Sequence, residues 1–317
     1  MKASPALHLR SAARRLGRWL GRLGGTELID ATPATVLAWC SQRLESTGLR
    51  LTFEDDHAWI TLASGVQLAY SDKYNSVTDV LLRQGTYETA EEALLRANLP
   101  RDAVVFDVGA NVGFYSLAAA QAAPDGVVHA FEPLPDTCED FRLNLRRNSW
   151  AKNIRLIPAA VGEQSGTVHL TTEFHSSNYV TSAQSTEATT AVPCITLDDY
   201  AAQADLTRLD FIKIDVEGGE LEVLRGASGT LRRFRPLLMV EIVETPTVFF
   251  ARRGSRRNDV LALLLEHGYQ HDIVDDEGRV WPETSIQQGR FQRSYHNYFF
   301  HHGTLRRPPS RALPGSG

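Results

Sequence analysis

From residue 103 onward the chain alternates short, β-branched apolar runs with segments of helical periodicity; the runs fall at 103–108, 127–131, 154–161, 209–214 and 237–242. Each is apolar at nearly every position rather than at every second one, which predicts parallel strands covered by helices on both faces. Between the third and fourth runs lies a polar stretch, 171–190, flanked by strand-like 167–170 and 191–195 and read as a long loop or hairpin insertion on the sheet. A helix over 259–267 and a last strand over 295–301 complete the α/β pattern. Upstream, residues 58–62 and 66–70 flank the turn Ala63-Ser64-Gly65 and predict a hairpin. Thr89-Ala-Glu-Glu then opens a helix with a polar first turn. The expected organisation is an N-terminal helical and hairpin cap over 1–98, the main domain over 99–303, and a disordered tail over 304–317, rich in Pro, Gly and Ser.

Composition narrows the function classes. The chain has 317 residues, 43% of them hydrophobic, a formal charge of -5 and a pI near 6.1, so no long-range field draws it to nucleic acid or anionic lipid. Three widely spaced cysteines, Cys40, Cys138 and Cys194, lack the close pairing of a zinc site and indicate a reduced, cytoplasmic setting. No apolar run approaches the ~18 to 20 residues of a membrane span. Two basic segments stand apart. One is an amphipathic N-terminal helix carrying Arg10, Arg14, Arg15, Arg18 and Arg22, read as packing on its own domain, lying on a membrane surface or serving as a targeting peptide; the other is a loop with Arg252, Arg253, Arg256 and Arg257.

The chemistry concentrates where strands end. The first run closes in Asp107-Val-Gly109-Ala-Asn111-Val-Gly113, a turn whose glycines allow a sharp bend and close approach to a ligand beneath a helix start. About 20 residues beyond the turn, Phe131-Glu132-Pro133 puts a carboxylate where such folds hydrogen-bond the ribose hydroxyls of an adenosine. Asn111 replaces the middle glycine of the dinucleotide pattern. Asp107 would repel a pyrophosphate and welcome a cation, so the local charge favours S-adenosylmethionine over a nicotinamide cofactor.

With these strings on the page, the sequence resembles the FkbM-type S-adenosylmethionine-dependent methyltransferases, a branch of the class I methyltransferases. The likeness runs over roughly half the chain, from Tyr87-Glu88 through DVGANVGFYSL at Asp107, FEP at Phe131, PAAVGE at Pro158, TLDDY at Thr196 and IKIDVEGGELEVLRGA at Ile212 to RPLLMVEI ending at Ile242. It implies a doubly wound, mostly parallel, seven-stranded Rossmann-like sheet. It implies further that Asp107, Gly109, Asn111 and Gly113 line the methionine portion of the cofactor, that Glu132 meets the ribose, that Ala160 and Val161 flank the adenine, and that Ala110, Phe114 and Pro133 belong to the same cofactor site. Asp215 would sit beside the transferred methyl. The family's acceptors are largely hydroxyls on sugars and other natural products, so the implied partner is a small-molecule or glycan acceptor rather than nucleic acid. Two departures stand out: Gly218-Gly219 where relatives often carry Gly-Ala, and Ile242 where a histidine often follows Glu241.

For proton transfer from an acceptor hydroxyl the candidates are Asp215, Glu217, His175 in the polar insertion, and Glu241, an acid in an otherwise apolar strand that needs a partner, solvent or a function. No spacing demands a metal. The competing readings are a noncatalytic nucleotide-binding or scaffolding module and an NAD-dependent oxidoreductase.

Overall fold

The computed structural model describes residues 44, 47–54, 57–71, 76–172, 179–181, 188–243, 257–274, 279–282 and 295–307. The basic N-terminal helix, the loop arginines 252, 253 and 256, His175 and the end of the tail lie outside the described residues.

The cap contains β1 (Arg50–Glu54), β2 (His57–Thr61) and β3 (Gln67–Ala69) in one antiparallel sheet, then α1 (Val77–Gln84) and α2 (Thr89–Asn98). The expected hairpin is β2–β3, and β1 adds a strand to it. Ser76 caps α1 by accepting the Asp79 N–H, and Gly85 ends it in the left-handed conformation.

The main sheet is built from β4 (Val104–Val108), α3 (Phe114–Ala122), β5 (Val127–Phe131), α4 (Pro135–Arg147), β6 (Ile154–Ile157), and, after the insertion, α5 (Leu197–Gln203), β11 (Phe211–Ile214), α6 (Glu220–Arg225), α7 (Ser228–Phe234) and β12 (Leu237–Val243). It is completed by α8 (Arg257–Glu266), β13 (Gln270–Val274), β14 (Val280–Pro282) and β15 (Tyr295–His301). The order is β14-β13-β15-β12-β11-β4-β5-β6. Strands β12, β11, β4, β5 and β6 are mutually parallel, whereas β15 runs against both β12 and β13. Among the described residues the sheet therefore has eight strands, not seven. The additional β14 is three residues long, too short to show a periodicity in sequence.

Three further expectations are corrected. The third apolar run, 154–161, is broken at Pro158: β6 ends at Ile157, while β7 (Ala160–Val161) leaves the main sheet and pairs with β10 (Thr189–Ile195). With β8 (Gly166–Thr171) and β9 (Val180–Thr181), these form a separate four-stranded sheet in the order β7-β10-β8-β9. Proline has no N–H to donate to a ladder, so the run cannot continue as one strand. Second, the tail does not begin at 304: Leu305 is buried, and Arg306 exchanges two hydrogen bonds of 2.9 Å with the Asn98 side chain. Third, Arg257 begins α8 rather than ending a loop, and its Nε donates to the Tyr298 hydroxyl at 2.8 Å.

Two apolar clusters cover the two faces of the sheet. On one face Val105, Phe211, Met239 and Phe299 pack with α3 and with Ile60, Leu68, Leu81 and Leu94 of the cap in a continuous core. On the other, Phe106, Ile212, Leu238 and Val240 pack with Leu197, Leu224, Leu231 and Leu264 from α5 to α8. Every residue of α3 from Phe114 to Ala120 is buried, which its run of alanines permits by letting the helix sit close to the sheet. The chain steps outward from β4 through β5 to β6, then returns to lay β11 on β4's other side. The strand order reverses between β4 and β11, which puts the crevice of such a sheet at the carboxyl ends of these strands.

Candidate active site

Asp107 lies at the end of β4 and registers with Lys213 on β11. Side chains on one strand alternate faces, so Lys213, Asp215 two residues on, and Glu241 two residues beyond Met239, the partner of Lys213, all belong to the face that the cap covers. The register alone gathers three acids and one base at one rim.

Asp107 is buried, at 1% exposure, and its Oδ2 accepts a hydrogen bond from Ser116 Oγ at 2.5 Å. Its Oδ1 has no hydrogen-bond partner among the described residues and lies 3.8 Å from Lys213 Nζ. Burial pushes its carboxyl pKa up, opposed by the Lys213 charge and the Ser116 hydroxyl. Lys213 Nζ donates to Asp215 Oδ2 at 3.0 Å and to the Gly109 carbonyl at 3.2 Å, and stands over the Tyr115 ring, 5.2 Å from its centroid. Burial alone would lower the lysine's pKa; Asp215 and Asp107 outweigh it and raise it. An ammonium in the apolar strand Phe211–Ile214 is thereby held charged by two carboxylates.

Asp215 and Glu241 share a side-chain hydrogen bond. Burial raises both; Lys213 and the bond from Glu241 bring Asp215 below its ordinary range, whereas burial and the facing charges of Asp215 and Glu217 drive Glu241 well above it. Glu241 therefore carries the proton of the pair and Asp215 the charge. Glu217 faces Glu241 from a left-handed backbone at φ 55°. It does not cap α6: that helix starts from Gly219, and Glu220 accepts the Gly218 N–H at 2.9 Å.

Glu132, at the end of β5, accepts the Asn111 N–H on Oε2 and the Leu134 N–H on Oε1, each at 3.0 Å. Burial raises its pKa to about 7 against these two N–H groups and Lys213. Asp107 and Glu132 thus bracket the turn, with both carboxyls in one electrostatic environment. The turn glycines serve the protein itself: at φ 79°, a Cβ on Gly109 would overlap the Asp215 carbonyl, and at φ 90° one on Gly113 would overlap the Phe141 ring. Ala110 is buried and its N–H bonds Phe131, as does that of Gly109; the Phe114 ring is edge-on to Tyr87 and Tyr115 in the core. Beyond Glu132 a cavity of about 290 Å³ opens between Pro133, Cys138, Pro158 and Val192. Ala160 is buried in the insertion's small core, and Val161 pairs with Ile195.

The structure thus brings together Asp107, the turn, Glu132, Asp215, Glu217 and Glu241, while Ala160 and Val161 stand on the neighbouring small sheet. Sequence reasoning passed over Lys213, although an ammonium in an apolar strand carries the signal that marked Glu241. It also passed over Ser116 and Tyr115. Among the described residues no cluster of His, Cys, Asp and Glu is placed to hold a metal ion, and no helix is long and apolar enough to cross a membrane.

A Rossmann-like α/β sheet with an acid closing each of two neighbouring strands defines the class. The methyltransferase FkbM domain matches residues 107–271, more than half of the chain, and the protein belongs to that family of methyltransferases. A hexuronic acid methyltransferase, AglP, from Haloferax volcanii is 32% identical over 183 residues, covering 57% of this chain and 69% of its own. The 31-O-demethyl-FK506 methyltransferase FkbM from Streptomyces tacrolimicus is 27% identical over 222 residues, 60% of this chain and 81% of its own. A solved methyltransferase FkbM from Methylobacillus flagellatus superposes with a TM-score of 0.42 at 18% identity, over 63% of this chain and 44% of that one.

Proposed function

We propose that the protein transfers a methyl group from S-adenosylmethionine to a hydroxyl oxygen on a sugar or related natural-product acceptor, in the cytoplasm. The observation that carries the reading is the buried Asp107 carboxylate: its Oδ1 lacks a hydrogen-bond partner among the described residues at the crevice of the sheet, with Glu132 one strand away. A carboxylate oxygen without a donor, in a place that already holds Lys213, fits a cationic ligand. Glu132 fits the ribose, because each of its oxygens accepts one N–H and keeps a lone pair for a hydroxyl. Asn111 and Gly113 would border the methionine portion, and Pro133, Ala160 and Val161 the adenine side. The free thiols of Cys138 and Cys194 suit a reducing interior.

When bound, the donor supplies a methyl group on a positively charged sulfur, so the protein's work is alignment, exclusion of water and removal of the acceptor's proton. Asp215, held ionised by Lys213 and oriented by the proton on Glu241, is the group placed to take that proton at Oδ1 or Oδ2. Glu241 acts by positioning it, and the charge of Glu217 helps keep the proton on Glu241. The acceptor class is suggested by family membership and by two relatives, one named for a hexuronic acid and the other for 31-O-demethyl-FK506.

The test incubates the enzyme with methyl-labelled S-adenosylmethionine and hydroxyl-bearing glycans or extracted metabolites. Label is expected in an alkali-stable ether, with Asp215→Asn slowing transfer by roughly 100- to 10,000-fold. Label released by alkali as methanol marks a methyl ester and would overturn the hydroxyl assignment.

A further inference from the structure

We propose that Glu88, from the N-terminal cap, is a binding residue of the methyl-donor site and that its carboxylate receives the α-ammonium group of the donor's methionine portion. The inference rests on the donor reading above and adds to it a residue outside the nucleotide-binding strands.

Glu88 occupies the N-cap position of α2, where shorter side chains such as Asp, Ser and Thr ordinarily accept the helix N–H groups. It makes no such bond, and its backbone is left-handed at φ 41°, a conformation that a residue with a Cβ rarely adopts. Strained backbone that persists is characteristic of sites where a side chain is being aimed. Here Glu88 Oε2 accepts a hydrogen bond of 2.5 Å from the hydroxyl of Tyr115, the ring beneath Lys213 Nζ. The cap thus reaches the rim that carries Asp107, Lys213, Asp215 and Glu241.

The groups facing Glu88 are Glu91 on its own helix, Tyr115 on α3, Lys213 and Asp215 at β11, and Glu241 on β12. Carboxyl groups outnumber the ammonium of Lys213 in this set. Asp107 Oδ1 nearby is buried without a hydrogen-bond donor among the described residues, 3.8 Å from Lys213 Nζ, so it keeps its lone pairs for a further cationic donor at the rim. Burial, with help from Glu91 and Asp215, raises the Glu88 pKa to about 7 against the Tyr115 hydroxyl and Lys213. An arriving ammonium would draw that proton off, so binding and proton release are linked.

Two neutral-sulfur ligands isolate the amino-acid end of the donor, and only its ammonium would lose affinity when the Glu88 charge is removed. S-adenosylhomocysteine carries the amino-acid group; 5′-methylthioadenosine has the same adenosine and thioether without it. Calorimetry of the full chain at pH 7 is expected to show Glu88→Gln weakening S-adenosylhomocysteine by roughly 10- to 100-fold while methylthioadenosine keeps its affinity within about twofold. Titrations in two buffers of unequal ionisation enthalpy should show the wild type releasing more protons with S-adenosylhomocysteine than with methylthioadenosine, and the variant losing that difference. The retained methylthioadenosine binding also reports that the variant is folded. Equal losses for both ligands, or no loss for either, would overturn the role of Glu88 and leave the donor site standing. A wild type that binds neither ligand would overturn the donor reading and this inference with it.

Discussion

Replacing Lys213 with methionine is expected to lower the unfolding free energy by about 3 to 5 kcal/mol, the range for breaking a buried ion pair from one side. The lysine side chain is 6% exposed, and its ammonium serves Asp215, the Gly109 carbonyl and, at 3.8 Å, Asp107. Methionine fills much the same volume, so packing changes little. What changes is charge: Asp107, at 1% exposure, loses the ammonium that opposes its burial, and Asp215 loses the group that holds it ionised. For a domain of this size the melting temperature should fall by roughly 6 to 20 °C. The double replacement of Lys213 by methionine and Asp107 by asparagine should recover part of that loss, because it removes the stranded charge together with its partner. A melting temperature for Lys213→Met within about 2 °C of the wild type would show that these groups are not coupled.

Glu132 should make adenosine binding pH-dependent. Its carboxyl titrates at about 7 in the free protein because burial disfavours its charge, yet the ionised form accepts hydrogen bonds from ribose hydroxyls best. Below pH 7 a ligand binding the carboxylate must displace a proton, so 5′-methylthioadenosine affinity should rise up to tenfold per pH unit toward pH 7 and level off above it. Glu132→Gln should flatten that dependence and weaken binding above pH 7 by roughly 100-fold, the effect of two charge-assisted bonds. The stability of the free protein should run the other way. Glu88, Glu132 and Glu220 all have folded values raised to about 7 from 4.5. In the interval between those values the folded state holds more protons than the unfolded one, so these groups reduce stability as pH rises through it. Melting curves and ligand titrations over pH 5 to 8 check both signs; an affinity that is flat or falls with pH would refute the role of Glu132.

Much of this architecture is legible in the sequence because parallel strands buried on both faces leave uninterrupted apolar runs, and β4, β5, β11 and β12 fall within the runs at 103–108, 127–131, 209–214 and 237–242 to within a residue or two. The run at 154–161 misleads for a local reason: it stays apolar through Pro158, where a backbone ladder cannot. β14 is too short to have a period, and Leu305 is an isolated apolar residue between Thr304 and Arg306. In the site, Asp107 and Glu132 announce themselves by standing at strand ends. The glycines are also recognisable, but the demand on Gly109 and Gly113 comes from the Asp215 carbonyl and the Phe141 ring, contacts between residues far apart in the chain. The same distance in sequence hides the Lys213 cluster, which arises from the register of β4 with β11, and hides Glu88, whose role depends on a left-handed backbone at the start of α2.

The proposed function requires that the crevice beyond β4 and β5 hold S-adenosylmethionine between Asp107 and Glu132. Titration calorimetry of the wild type and of Asp107→Ala and Glu132→Ala tests it most directly. The expected result is saturable, one-to-one binding by the wild type and a loss of at least about 100-fold in each variant. Full affinity in both variants, or no binding by a folded wild type, would contradict it.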